Sequence, residues 1–246
     1  MSTNGRMMVI GLGEIGKPLM EIISRHHETV GIDLAPPTEP PGAIEVMHIC
    51  YPFKIQDFNG ETARYIKQFR PRLTVINSTV AVGTTRTIAM LTEMPVVNSP
   101  VRGKHVRMTA DLLRYHKFIG GIDGESAQTA VRHFESIGMK VRVLSSPEAT
   151  ELAKLTETTY FGLLIAWAQE VERYCDRLGL KYDEVISIYE EIPFFPSVKY
   201  FPGVIGGHCV MSNIEILSRM SPSDILEAIE SSNKQKVERE ASQAKI

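Results

Sequence analysis

The first half of the chain alternates short apolar runs with stretches of helical periodicity. Apolar runs, each of strand length, occur at residues 7–10, 29–33, 46–51, 73–77, 96–98, 117–121 and 140–144. Helical patterns lie between them at residues 15–26, 61–69, 84–91 and 125–137. This alternation predicts an α/β domain, a doubly wound sheet of parallel strands joined by crossover helices.

The pattern changes after Pro147. Residues 148–178 show one long helical periodicity that contains no proline and only Gly162 as an interruption. A serine at position 223 is expected to cap a short final helix. Irregular structure is expected at the proline-rich residues 35–42 and at residues 192–209. We therefore predict a sheet domain over residues 1–146 and a smaller all-helical domain over residues 147–246.

The composition and charge of the chain exclude several classes of protein and partner. Hydrophobic residues make up 43% and charged residues 23% of the 246 residues, which is ordinary for a globular chain. The net charge of −2 gives no reason to expect a nucleic acid or an anionic membrane as partner. No apolar run approaches a membrane span, and the first residues show no leader pattern, so we expect a cytoplasmic protein. Cys50, Cys175 and Cys209 lack metal-ligand spacing, and we expect no metal.

A glycine-rich turn directly follows the first predicted strand and opens the first helix. Gly11 permits the tight turn, Gly13 lets a pyrophosphate approach the backbone, and Gly16 allows close packing of helix and strand. Asp33 ends the next strand, where a carboxylate accepts hydrogen bonds from a ribose diol. The two residues after Asp33 are uncharged, which favours NAD over NADP. The sequence predicts a Rossmann-type NAD site.

Two hydroxyl residues follow the strand predicted at 73–77. Ser78 and Thr79 lie at its carboxyl end, the edge where open α/β sheets bind ligands. Either they reach the nicotinamide ribose, or they cap the next helix. The full set of expected cofactor-binding residues is Gly11, Gly13, Glu14, Ile15, Gly16, Asp33, Ser78 and Thr79.

A basic stretch lies between residues 101 and 117. It contains Arg102, Lys104, Arg107, Arg114 and Lys117, with Asp111 as its one acidic residue and His105 and His116 interleaved. A basic loop near the carboxyl edge of the sheet would suit a carboxylate or phosphate of a substrate. A solvated charged face is the equally weighted alternative. Neither histidine justifies a metal assignment.

Two further residues have the properties of catalytic groups. Lys154 lies in a stripe of the long helix, flanked by apolar residues, where a desolvated lysine polarises a substrate; periodicity alone favours a surface lysine. Cys209 follows Gly206, Gly207 and His208 in the sequence PGVIGGHC. A thiol beside a histidine, after glycines that admit a ligand, has the makings of a nucleophile, whereas most free cysteines are small buried hydrophobes.

Together, the sequences GLGEIG, NSTVAVGTT, EATELAKLTETT and PGVIGGHC resemble the UDP-glucose/GDP-mannose dehydrogenase family. The resemblance spans most of residues 7–213 and implies a 6-phosphogluconate-dehydrogenase-like layout. It further implies NAD-dependent oxidation of a sugar-nucleotide alcohol, with Cys209 as the covalent nucleophile and Lys154 stabilising the oxyanion. The expected substrate-binding residues are Arg102, Gly103, Lys104, Gly206, Gly207 and His208.

Several positions depart from the pattern of that family. Val101 stands where the family has a glutamate, Thr158 where it has an asparagine, and Asn213 where it has an aspartate. The sequence also has no counterpart of the family's third domain, which completes the nucleotide-sugar site. We expect Asn213 and Thr158 to belong to the catalytic site in altered form, and thioester hydrolysis and UDP recognition are placed in doubt.

Two alternatives to this function stay open. The sequence NSPVRG at residues 98–103 is similar to the substrate-binding segment of β-hydroxyacid dehydrogenases, which use the helix lysine without a covalent step. A degenerate dehydrogenase that only binds NAD is the other alternative. Under the resemblance we also expect a homodimer, formed through an apolar face of the long helix that comprises Leu163, Leu164, Trp167 and Val171.

Overall fold

The computed structural model describes residues 5–33, 42–193, 200–206 and 209–243, without the side chain of His105. The proline-rich segment predicted at residues 35–42 lies outside these ranges apart from Gly42. The described chain divides into two compact units, residues 1–154 and 155–246.

The first unit is built on one sheet. Its strands are β1 (Arg6–Ile10), β2 (Thr29–Ile32), β3 (Ile44–Ile49), β4 (Leu73–Ile76), β5 (Val96–Asn98), β6 (Lys117–Gly121) and β7 (Val141–Val143). Their order across the sheet is β2-β1-β3-β4-β5-β6-β7. Because β2 and β3 lie on opposite sides of β1, the chain reverses its direction of winding there, and a crevice opens at the carboxyl ends of β1 and β3.

Helices cover both faces of the sheet. They are α1 (Gly16–Ser24), α2 (Phe58–Phe69), α3 (Thr84–Thr92), α4 (Met108–Arg114) and α5 (Gly124–Ser136). Alternate residues of β1 face opposite sides: Met7 and Val9 pack with α1, α4 and α5, whereas Met8 and Ile10 pack with α2 and α3. Burial on both faces explains why the strands read as continuous apolar runs. The predicted doubly wound α/β class is confirmed.

Three details of this unit differ from the prediction. Strand β6 runs antiparallel to β5, although β6 and β7 are parallel to each other. Helix α2 begins three residues early, because the Asp57 carboxylate caps it by accepting from the Gly60 amide at 2.9 Å. Helix α4 lies inside the stretch that was expected to be a basic loop.

The second unit is helical. It contains most of α6 (Pro147–Leu178), then α7 (Tyr182–Ile186), a 3-10 turn (Ser187–Glu191), α8 (Val210–Ser218) and α9 (Asp224–Gln243). Its core joins Ala166 of α6 with residues of α8, α9 and the preceding loop: Ile205, Val210, Ile214, Leu226 and Ile229. The final helix, expected to be short, spans 20 residues. No helix within the described residues is long and apolar enough to cross a membrane.

The boundary between the units falls inside α6, eight residues later than predicted. The first turns of α6 are tied to α3 of the sheet unit: Arg86 Nε donates to Glu148 Oε1 at 2.6 Å, and Glu151 accepts from Thr85. Helical periodicity does not reveal such contacts, so Pro147 was the only visible signal for a boundary.

Candidate functional site

The glycine turn after β1 adopts the conformation that its sequence predicts. Gly11 has φ +90°, and a Cβ there would lie 2.7 Å from the Tyr51 nitrogen, so a larger residue is excluded. A Cβ on Gly16 would lie 1.8 Å from the Gly11 carbonyl oxygen. A Cβ on Gly13 would meet nothing within 4 Å, so space outside the turn is open for a ligand to approach.

The second half of the candidate cofactor site is the end of β2. Asp33 is exposed, and its Oδ1 accepts a hydrogen bond from the Leu12 amide at 3.4 Å, which ties it to the glycine turn. Ile15 is the N-cap of α1 and makes no side-chain capping bond, and Glu14 beside it is exposed. Helix N-termini of this kind bind phosphate through their amides. These residues fit a dinucleotide.

Ser78 and Thr79 do not cap a helix. Helix α3 begins at Thr84, and its N-cap is Gly83. Instead, the buried Ser78 hydroxyl donates to the Tyr51 carbonyl at 2.6 Å and thereby joins the loops that follow β3 and β4. Thr79 is half-buried beside it. The helix-capping alternative is therefore wrong for both residues.

The carboxylate of Glu151 performs the capping of α3. It accepts from the Gly83 amide at 2.7 Å, the Thr85 amide at 2.9 Å and the Thr85 hydroxyl at 2.6 Å. Glu151 is 1% exposed, and burial raises its pKa while these bonds oppose the rise. The contact fixes the start of α6, and Lys154 follows within one turn. Lys154 is half-buried, and its charge acts on Lys117.

Lys117 is buried, contrary to its place in an exposed basic stretch. It is 3% exposed at the start of β6, and its Nζ donates to Asn77 Oδ1 at 3.0 Å and to the carbonyls of Ser99 and Pro100. Burial lowers the pKa of Lys117 to about 7; Cys50 nearby opposes that shift and Lys154 adds to it. The same burial raises the pKa of the Cys50 thiol to about 12, so Cys50 is an unreactive thiol.

A chain of buried polar groups continues from Asn77. Its Nδ2 donates to His48 Nδ1 at 3.1 Å, so the proton of a neutral His48 sits on Nε2. His48 Nε2 then donates to His133 Nε2 at 2.9 Å, which leaves the His133 proton on Nδ1, an atom without a hydrogen-bond partner among the described residues. Burial holds the pKa of His48 well below 6.5 and lowers that of His133 to about 3. Both imidazoles are neutral.

The rest of the basic stretch is folded around Asp111 rather than forming a loop. The buried Asp111 carboxylate accepts from the Lys104 amide at 2.9 Å and from Arg107 Nε at 3.0 Å, and these bonds lower its pKa. Gly103, with φ +141°, faces the Asp111 side chain. The Arg102 guanidinium lies 5.6 Å from the centre of the Tyr115 ring. The solvated-face alternative still describes Lys104, Arg107, Arg114 and His116, whereas Arg102 is half-buried.

Val101 and the polar residues before it complete this edge of the sheet. Val101 is buried in the apolar core, so the position does not present a polar group to a ligand. Asn98 is buried too, and its Oδ1 has no hydrogen-bond partner among the described residues. The carboxyl edge of the first unit thus carries Asn77, Asn98 and Lys117 as buried polar groups.

Cys209 lies in the second unit, where it is the exposed N-cap of α8. Its carbonyl accepts from the amide of Asn213, which is buried, and Thr158 on α6 is half-buried. Gly206 is exposed. Gly207 and His208, both expected to bind substrate, lie outside the described residues.

The loop before Cys209 is anchored by two residues that sequence reasoning missed. Gln169 Nε2 donates to the Gly203 carbonyl at 2.8 Å. The Asn233 amide pairs with both backbone groups of Ile205: its Oδ1 accepts from the nitrogen at 2.7 Å and its Nδ2 donates to the carbonyl at 3.2 Å. In the sequence, Gln169 and Asn233 are ordinary amide residues, and hydrophobic periodicity does not distinguish a buried amide from one on the surface.

The expected apolar face of α6 is exposed only in part. Trp167 is 51% and Leu163 37% exposed, and Leu164 is half-buried. Val171, however, is 5% exposed and belongs to the interior of its own unit. Tyr160, Tyr174 and Leu178, which the prediction omitted, are exposed as well. Together with Leu163 and Trp167 they form the exposed stripe of α6. Among the described residues no group of histidines, cysteines or carboxylates is arranged to hold a metal ion.

Comparison with known proteins agrees with the fold and with the motifs. Residues 148–235 match the central domain of the UDP-glucose/GDP-mannose dehydrogenase family. The UDP-N-acetyl-D-mannosamine dehydrogenase of Methanocaldococcus jannaschii is 26% identical over 83% of this chain and 59% of its own length. The chain thus spans under two thirds of that relative.

Two solved structures show the same fold. A UDP-N-acetyl-mannosamine dehydrogenase from Pyrococcus horikoshii matches 96% of this chain and 70% of its own, with TM-score 0.83 and 21% identity. The 3-hydroxyisobutyrate dehydrogenase of Mycobacterium tuberculosis matches 94% and 93%, with TM-score 0.71 and 17% identity. The resemblance found in the sequence is confirmed, since residues 148–235 are similar to the central domain of the UDP-glucose/GDP-mannose dehydrogenase family.

Proposed function

We propose that this protein is an NAD-dependent dehydrogenase that oxidises an alcohol of a nucleotide sugar or a similar anionic substrate. One observation carries the proposal: the glycine turn tied to Asp33 occurs in the same chain as a central domain of the nucleotide-sugar dehydrogenase family. The turn supplies the cofactor site, and the central domain contains Lys154 and Cys209.

Each candidate residue has a distinct part in the reaction. When bound, NAD would supply the acceptor for the hydride of the alcohol carbon. Glycines 11, 13 and 16 would hold the pyrophosphate, Asp33 would bind the adenosine ribose, and Ser78 and Thr79 would line the nicotinamide end. Lys154 donates hydrogen bonds to the substrate oxygen and stabilises its negative charge as the hydroxyl proton passes to water. The Cys209 thiol then adds to the aldehyde carbonyl and forms a thiohemiacetal.

The departures at the site restrict the chemistry available after the first oxidation. Asn213 cannot act as a carboxylate base toward water, because an amide does not accept a proton at neutral pH. Release of an acyl group by hydrolysis therefore needs another base, or the reaction stops at the aldehyde. Thr158, with one hydroxyl, offers fewer hydrogen bonds than an amide.

The substrate class is inferred from the relatives and from the charge near the sheet edge. The M. jannaschii relative is named for UDP-N-acetyl-D-mannosamine, and Arg102 and Lys104 place cations close to the same edge of the sheet. An anionic group on the substrate would pair with these cations. A homodimer formed through the exposed stripe of α6 is part of this proposal.

A second candidate is a β-hydroxyacid dehydrogenase that uses Lys154 without a covalent step. The observation that favours it is the sequence NSPVRG at residues 98–103, which is similar to the substrate-binding segment of those enzymes. Such a reaction would not need the Cys209 thiol.

The test is a panel of alcohols assayed for NADH formation. Purified protein with NAD is mixed in turn with UDP-glucose, UDP-N-acetylmannosamine, GDP-mannose and 3-hydroxyisobutyrate. Cys209→Ala and Lys154→Ala are run beside Cys175→Ala and Lys140→Ala as controls for a buried thiol and an exposed lysine. We expect turnover of a nucleotide sugar that both site variants lose and both controls keep.

Other outcomes distinguish the alternatives. Turnover of 3-hydroxyisobutyrate that survives Cys209→Ala would establish the hydroxyacid reaction. Tight NAD binding without NADH formation from any substrate would contradict a dehydrogenase acting on these classes and favour a protein that only binds the dinucleotide.

A further inference from the structure

Lys117 is a buried cation that connects two loops at the carboxyl edge of the sheet. Because β6 is antiparallel to β5, its first residue lies beyond the carboxyl end of β5, beside residues 99–104. The Lys117 ammonium has three N–H groups, and three acceptors surround it: Asn77 Oδ1 at 3.0 Å, the Pro100 carbonyl at 3.3 Å and the Ser99 carbonyl. The ammonium satisfies all three acceptors, whereas a neutral amine satisfies two.

The groups that face Lys117 come from every layer of the unit. His48 of β3, Cys50 just after it and Lys154 of α6 interact with Lys117 electrostatically. The Lys117 Nζ is 5.3 Å from the centre of the Phe134 ring of α5. Neutral His48, the thiol and the ring carry no net negative charge, and Lys154 is a like charge. The backbone carbonyls and the Asn77 amide therefore do most of the stabilising of this cation.

A role in proton transfer does not fit the geometry. The chain from Lys117 to His133 passes through the Asn77 side chain, whose amide does not exchange protons readily between its oxygen and nitrogen. His133 Nδ1 has no onward hydrogen-bond partner among the described residues. The network holds groups in place rather than conducting a proton.

We infer that Lys117 is a positioning residue: its ammonium fastens the backbone at Ser99 and Pro100 to the Asn77 side chain and thereby places residues 99–104, which carry the candidate substrate cations Arg102 and Lys104. This inference rests on the proposed function for its catalytic consequence. Its structural part, the fastening of residues 99–104, stands on the three hydrogen bonds alone.

Hydrogen exchange measured by mass spectrometry tests the fastening without any substrate. Exchange in peptides covering residues 96–107 is followed at about pH 6, where Lys117 is protonated. Lys117→Met is compared with wild type and with Lys140→Met, a matched loss of an exposed lysine. We expect Lys117→Met to raise exchange in these peptides about tenfold, and Lys140→Met to leave it unchanged.

The conservative variant separates positioning from general stability. Lys117→Arg keeps a positive charge and several donors, so it should restore protection. If Lys117→Met does not fold, Lys117→Gln, which keeps two N–H donors, replaces it. Exchange that rises equally throughout the first unit, or that stays at the wild-type level in these peptides, would overturn the inference.

Turnover, if a substrate of the panel is found, adds a second readout. Lys117→Met should raise KM for that substrate at least about tenfold and change kcat less, because it displaces binding groups rather than reacting ones. An unchanged KM together with increased exchange would refute the link to substrate, whereas absence of any turnover would count against the proposed function and leave the exchange result intact.

Discussion

At the scale of single residues, burial decides what the charged groups of this chain do. Five cations lie close together in the sequence between residues 101 and 117, and nothing in that pattern distinguishes Lys117 from the others. The fold removes Lys117 from water and surrounds it with acceptors, while Lys104 and Arg114 stay exposed. A cation with a pKa near neutrality then links stability to pH.

We predict that the stability gained from Lys117 rises with pH. Its pKa in the folded state, about 7, lies below the ordinary 10.5, so the unfolded chain binds more protons between these values. The contribution is complete above about 10.5 and is lost as pH falls through about 7. Urea unfolding of wild type and Lys117→Met should show their free-energy difference shifting in favour of wild type by about 2 kcal/mol between about pH 7 and pH 9. A difference independent of pH would contradict the assignment.

At the scale of elements, the decisive contacts join a helix end to a side chain from elsewhere. Helix α3 has no side-chain capping bond from its own N-cap, and Glu151 of α6 supplies one across 66 residues of chain. The Gly203–Ile205 segment is likewise held by side chains of α6 and α9. Local sequence does not encode either contact.

We predict that Glu151→Ala lowers the free energy of unfolding by about 2–3 kcal/mol, because two backbone N–H groups at the start of α3 lose a buried partner. Glu148→Ala is the matched control: it breaks the partly exposed pair with Arg86 and local bonds at the start of α6, and it should cost less than about 1 kcal/mol. Equal losses for the two variants, measured by chemical unfolding, would show that Glu151 does not cap α3.

We predict that Asn233→Ala loosens the loop before Cys209. The Ile205 amide and carbonyl lose both partners, which should cost about 2 kcal/mol and make residues 200–206 the first site of proteolytic cleavage. Ser231→Ala, an exposed change on the same helix, should leave both properties unchanged. Wild-type cleavage kinetics in Asn233→Ala would disprove the anchoring role.

At the scale of the whole molecule, the chain consists of two units with different kinds of core. The sheet unit has an apolar core on each face, whereas the second unit has one small core between α6, α8 and α9. The second unit also leaves Tyr160, Leu163, Trp167 and Tyr174 exposed along α6. An apolar stripe of this kind on a helix suits a second chain.

We predict a dimer in sedimentation velocity that Trp167→Glu weakens by about tenfold or more in Kd, since a buried charge at an apolar contact is costly. Met90→Glu is the control, because Met90 is an exposed apolar residue of α3, outside the stripe. Sedimentation of wild type as a monomer would contradict the dimer, and equal weakening by both variants would contradict the stripe.

Much of the first unit could be read from the sequence. Strands buried on both faces give continuous apolar runs, so β1, β4 and β5 begin and end within a residue of prediction. The glycine spacing together with Asp33 likewise predicts the turn that follows β1. Helix α4 and the direction of β6 could not be read. The polar residues in and around α4 obscure its helical pattern. The direction of β6 depends on the path by which the chain returns to the sheet.

The class of fold, the glycine turn and the candidate residues Lys154 and Cys209 could all be predicted from the sequence. These depend on periodicity and on short spacings, which act within one element or one turn. Tertiary structure alone decided that Lys117 is buried, that Glu151 caps α3 and that Asn233 holds Ile205. Each of these depends on residues at least 17 positions apart in the chain, and the burial that gives them their charge state and hydrogen bonds exists only once the elements have packed.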